Sequence, residues 1–190
     1  MSPEAEIALA RSAAPDSVSA HATVKVLRPS GYKVAVQGDN VFVCIVMRGW
    51  GPDVYTCTAP DLVYYAKLRA SICFNPVASQ TVLVLQELRA RLGIEGKTPD
   101  QIAGGVQAAY ARGAENGDGG IWVHLSCGPG PGVGAWHPHM IVYIPYYENA
   151  MLGGNQLGGA LPIVGDDSGT PFGVTVIPVE HNLAVKAQGK

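Results

Sequence analysis

One hundred and ninety residues set the scale of a single domain. Hydrophobic residues make up 47% and charged residues only 15%, with a net charge of -2, a balance that allows a packed core and excludes the basic footprint of a nucleic-acid or anionic-membrane binder. The longest apolar run, Val41 to Met47, is far shorter than the ~20 residues needed to cross a bilayer, so no transmembrane segment is expected.

Ser2-Pro3-Glu4 reads as an N-cap, a proline at the first helical position and an acidic first turn, opening a short helix over 3–14. Its thin apolar stripe of Ile7, Ala10 and Ala14 makes it a loosely attached arm on an otherwise single domain, 1–190. From about 22 to 48 the apolar period becomes two: Val24 and Val26, then Tyr32, Val34 and Val36, then Val41, Val43, Ile45 and Met47. Three strands follow from that alternation, and the turn residues Arg28-Pro29-Ser30-Gly31 and Gly38-Asp39-Asn40 predict an antiparallel meander. The third strand is apolar on both faces and belongs at the centre of a sheet.

Trp50 to Phe74 shows no clear period and reads as an irregular excursion with a helical turn near Leu62 to Leu68. Asn75-Pro76 then looks like an N-cap and first helical residue, and Val77, Thr81, Val84, Leu85, Leu88 and Leu92 form one amphipathic face up to Gly93. Thr98-Pro99-Asp100-Gln101 matches a capping box for a second helix, whose Gly104 and Gly105 suggest a close crossing with a neighbouring element. Strand signals return at 121–127, 140–147 and 172–180. The whole is α+β: a mainly antiparallel sheet from two β groups, about 22–48 and 121–180, flanking a helical pair at about 76–112, with helices on one face.

Gly128-Pro129-Gly130-Pro131-Gly132-Val133-Gly134 lacks the Lys-Ser/Thr ending of a phosphate loop and reads as a connection. No Gly-x-Ser-x-Gly nucleophile elbow occurs. The informative segment is Trp136-His137-Pro138-His139. Residues two apart share a face of an extended chain, so His137 and His139 would stand side by side at a strand start, where Pro138 is tolerated. His181, at the end of the last strand, would complete three imidazoles suited to Zn or Cu. Asp166 and Asp167 could orient His181, Trp136 and Tyr143, with Tyr146 and Tyr147, could wall a planar ligand, and His124 could join the cluster. A noncatalytic ligand-binding or envelope-associated protein with incidental histidines is the rival reading. The partner is a small molecule or a metal ion, and no reaction follows from these residues.

Cys44, Cys57, Cys73 and Cys127 allow three pairings, and spacing chooses neither among them nor against free thiols. The opening Met1-Ser2-Pro3-Glu4-Ala5-Glu6 is not a secretory signal, which fits either an intracellular protein or one whose signal has been replaced by a start Met.

Ile7 to Pro15, the Gly31-Tyr32-Lys33-Val34-Ala35-Val36 strand, Phe42-Val43-Cys44, Ile72-Cys73-Phe74-Asn75-Pro76 and Trp136-His137-Pro138-His139 together resemble a group of uncharacterised proteins, frequent in soil bacteria and made as exported precursors. The resemblance spans most of the chain. It implies a secreted or periplasmic location, a Cys44–Cys73 disulfide that leaves Cys57 with Cys127, and a site focused on His137, His139 and His181 rather than His124.

Overall fold

A computed structural model of the chain describes residues 1–51, 63–115, 122–126, 139–144, 146–154, 162–164, 168–169 and 173–178. Helix α1 (Pro3–Arg11) begins with Ser2 Oγ accepting the Ala5 amide and with Glu4 and Glu6 in the first turn. It ends at Arg11, short of Ala14, and one more turn, α2 (Asp16–Ser19), follows Pro15. Strands β1 (Thr23–Arg28) and β2 (Gly31–Val36) form the expected hairpin, with Gly31 at φ +97°, a conformation open to glycine at little cost.

The meander does not continue. Strand β3 (Val43–Gly51) runs parallel to β1, with Thr23 opposite Val43 and Val24 opposite Cys44. Residues 37–42 cross the start of β1 instead of turning back along β2. The Asp39 and Asn40 amides both donate to the His21 carbonyl, and the Thr23 amide donates to the Phe42 carbonyl. A Cβ on Gly38 would overlap the His21–Thr23 backbone, so glycine there serves a close chain crossing rather than a hairpin.

Of the segment expected to be irregular, residues 52–62 lie outside the described residues, and 63–74 form β4 (Val63–Phe74), antiparallel to β3 and the longest strand among the described residues, where a helical turn was expected near 62–68. It was hidden because its described end is apolar toward both sides: Ala70, Ile72 and Phe74 pack on one face and Cys73 on the other, which removes the alternation that marks a half-exposed strand.

The next helix is broken in two, α3 (Pro76–Gln80) and α4 (Val82–Ile94), at Thr81, whose hydroxyl donates back to the Val77 carbonyl at 2.7 Å. Asn75 caps α3 through the Ala78 amide at 2.8 Å. Helix α5 (Pro99–Glu115) opens with the anticipated capping box: Thr98 N donates to Gln101 Oε1 and Gln101 N to Thr98 Oγ1. Gly105 is the close crossing, since a Cβ would lie 2.9 Å from Leu92 Cδ1 of α4, whereas Gly104 faces open space.

Strands β5 (Trp122–Ser126), β6 (His139–Tyr143), β7 (Ile163–Val164) and β8 (Val174–Pro178) complete the fold, β7 being unforeseen. A mixed half, β2-β1-β3-β4, joins an antiparallel half, β5-β6-β8-β7, through the β4–β5 ladder. The protein is α+β. Helices cover both faces of the mixed half rather than one. Against one face, Ala10, Ala13, Ala14 and Ala22 pack on Val24, Cys44, Val46 and Cys73. Against the other, Ala78, Val82 and Leu83 pack on Ile45, Met47, Ile72 and Phe74. Helix α1 is therefore built into the core, with Ala10 fully buried.

Candidate functional site

The parallel β1–β3 ladder spans only two residue pairs, and β1 carries a register shift between Val24 and Lys25. Further along, side chains satisfy backbone groups between the two strands. The Leu27 amide donates to Glu6 Oε1 at 3.0 Å, and the Val46 carbonyl accepts from the Tyr32 hydroxyl at 2.7 Å. These bonds replace ladder bonds that would otherwise leave buried polar groups orphaned. Glu6, only 2% exposed, is matched by Arg48, whose Nη2 lies 2.5 Å from the same Oε1. Burial pushes the Tyr32 phenol well above its ordinary value, although the guanidinium charges of Arg48 and Arg89 pull the other way.

Beside this opening lies a cavity of about 290 Å³. Leu27 of β1, Tyr32 of β2 and Met47 and Arg48 of β3 form one wall; Gln86, Arg89, Ala90, Gly93 and Ile94 of α4 form the other. The volume sits at the lower end of the range for small-molecule pockets, about 300–1,000 Å³. Gln86 and Arg89 are 3% and 2% exposed, so α4 turns polar groups inward at this end. Among the described residues, the lining holds two guanidiniums and no carboxylate. The nearby Glu87 is engaged by Lys25 at 2.6 Å.

Such a lining offers binding groups rather than proton-transfer groups. Guanidinium stays protonated, a carboxamide does not titrate, and the Tyr32 phenol is held neutral while donating to Val46. Guanidinium suits carboxylate or phosphate oxygens.

Sequence reading missed this site for a specific reason. The apolar spacing places Val77 and Val84 on the buried face, but these are 46% and 51% exposed, while Gln86 and Arg89 are buried. Polar side chains facing a cavity look like a solvent face in sequence. Glu6 likewise reads as a first-turn acid complementing the helix dipole; its bond to Arg48, far off in the chain, leaves no local signal.

Of the histidines, His139 opens β6 opposite Ser126 and Pro178, and His124 lies in β5 opposite Ile141 and Phe74. Along the β5–β6 ladder the positions of His124 and His139 stand two residue pairs apart. His137, His181, Trp136, Asp166, Asp167, Cys57 and Cys127 lie outside the described residues. Among the described residues, no group of three or more His, Cys, Asp or Glu could hold a metal ion. Tyr143, expected in a ligand wall, is buried in the core with Ile141 and Val174. Tyr146 is exposed and Tyr147 half-buried. Cys44 and Cys73 face each other across β3–β4, Cα atoms 4.0 Å apart, and form a disulfide. Among the described residues, no helix is long and apolar enough to cross a membrane. No protein-family model, curated protein or solved structure matches the chain. The reading of this site therefore rests on its geometry.

Proposed function

We propose that the protein is a noncatalytic binding domain of an extracytoplasmic compartment, and that it takes a small anionic molecule in the cavity between the sheet and α4. The observation that carries this reading is the lining itself: Arg48 and Arg89 with Gln86, and no carboxylate among the described residues. Charge-assisted bonds from guanidinium are the strong kind. The compartment is supported by the Cys44–Cys73 disulfide, since such bonds persist in oxidising surroundings.

Calorimetry and thermal denaturation with acetate, hexanoate, inorganic phosphate and the neutral hexanamide test the reading. An anion at a hundredfold excess over its Kd should stabilise the fold by about 2.7 kcal/mol. Hexanamide should do nothing, and Arg89→Met should abolish the effect. Equal responses to amide and anions, or an undiminished response in Arg89→Met, would refute it. For the compartment, alkylation and mass spectrometry of protein isolated from its native source without reductant should leave Cys44 and Cys73 unmodified; labelling of both would contradict export.

A further inference from the structure

We infer that helix α1 is a strap over the Cys44–Cys73 disulfide, and that a small dithiol reduces this bond when the strap lifts while the sheet beneath it stays folded. Cover is the first observation. Cys44 and Cys73 are both fully buried, on the face of β3 and β4 that meets Ala10, Ala13 and Ala14. Cys73 Sγ lies 3.8 Å from the Ala10 carbonyl oxygen, so the backbone of the strap itself stands over the bond. A thiolate must touch a sulfur to exchange with it, and the docked strap leaves it no approach.

The fastening of the strap is the second observation. Its fully buried apolar contacts are alanines, which cover little hydrocarbon each, while Ile7 and Leu9 are only partly buried. Its polar tie to the sheet is one carboxylate, Glu6, shared between Arg48 and the Leu27 amide. Docking also carries a cost: among the described residues, Arg11 Nε at the end of α1 is buried without a hydrogen-bond partner, and lifting returns it to water. The strands below are held differently, with Ile45, Met47, Ile72 and Phe74 buried on their other face. A terminal segment with few apolar contacts opens at lower free energy than such strands.

With α1 lifted, a thiolate of the dithiol attacks one sulfur, the Cys44–Cys73 bond breaks, and the displaced sulfur leaves as a thiolate. The second thiol of the reductant then displaces the mixed disulfide. Two electrons and two protons pass to Cys44 and Cys73, and the dithiol departs as its own disulfide.

The test is reduction of the folded full chain by dithiothreitol in native buffer, read by alkylation and peptide mass spectrometry of Cys44 and Cys73. When opening and closing are fast, the rate follows the population of the open form. Ser2→Ala removes the exposed cap on the Ala5 amide within the strap and should speed reduction roughly fivefold. Glu6→Gln should speed it at least about tenfold. Val82→Ala, which weakens packing on the opposite face, should react at the wild-type rate although its urea midpoint falls. Acceleration by Val82→Ala in proportion to its lost stability would assign reduction to global unfolding and overturn the strap. A wild-type rate in either folded strap variant would overturn it too. If Glu6→Gln does not fold, Ser2→Ala against Val82→Ala decides.

Discussion

The two faces of β3 are built from alternate residues of one strand, yet they solve different problems. Cys44 and Val46 meet the alanines of the N-terminal segment, where small side chains let the helix approach closely and a disulfide to Cys73 locks the strand below it. Ile45 and Met47 meet α3 and α4 with bulkier groups, and toward the end of α4 the packing gives way to a polar-lined cavity. Arg48 joins the two sides, because it lines that cavity while its guanidinium holds Glu6 of α1. In the proposed reading, the covalently fastened face supports and the face with space and guanidiniums recognises. A preorganised site of this kind needs a supporting layer that does not move when the ligand arrives.

Breaking the joint between the faces should cost most. Arg48→Met leaves the Glu6 carboxylate buried without its cation, which should destabilise the fold by about 3–5 kcal/mol. In urea unfolding, the double variant Glu6→Gln/Arg48→Met should recover a large part of that loss; full additivity would mean the pair is not coupled. Removing the fastening comes next. With the two cysteines 29 positions apart in the chain, the Cys44→Ala/Cys73→Ala variant should lose about 3–4 kcal/mol by the loop-entropy relation. Crowding the supporting face tests its tightness: Ala10→Leu, at a fully buried position, should cost ~1–3 kcal/mol through overpacking. A cost near zero would show that α1 lies less closely than its buried alanines indicate.

The smallest effect concerns Tyr32. Tyr32→Phe removes a hydrogen bond to Val46 O, worth about 1 kcal/mol. Because burial raises the phenol above its unfolded value near 10, its contribution is fully present below pH 10 and is lost as alkali drives ionisation. Stability measured from pH 8 to 11 should therefore fall less steeply in Tyr32→Phe than in the wild type. Parallel profiles would contradict the buried, neutral phenol.

How much of this was legible in the sequence depended on whether the signal was local. The β1–β2 hairpin, the central place of β3 and both helix caps at Asn75 and Thr98 were readable, since period-two patterns and capping residues act within a few positions. The Cys44–Cys73 pair was indicated only by resemblance, because spacing leaves every pairing open. The parallel partner of β3 was not readable: Gly38 serves a chain crossing whose other half is the backbone of residues 21–23. Strand β4 lost its signature by being buried on both sides at its described end. The site was least readable of all, since a polar residue facing a cavity and one facing water look alike until the helix is oriented. Gln86 and Arg89 occupy positions that any amphipathic reading assigns to solvent, and only the packing of Val82 and Leu83 on the sheet turns them inward.

The most direct test of the central claim is amide chemical-shift mapping by NMR as hexanoate is added to the isotopically labelled protein. Saturable shifts should concentrate at Leu27, Arg48, Ala90, Gly93 and Ile94, with Ala10, Val24 and Cys73 on the opposite face unmoved. Shifts confined to that opposite face or scattered without saturation would contradict an anion site between the sheet and α4.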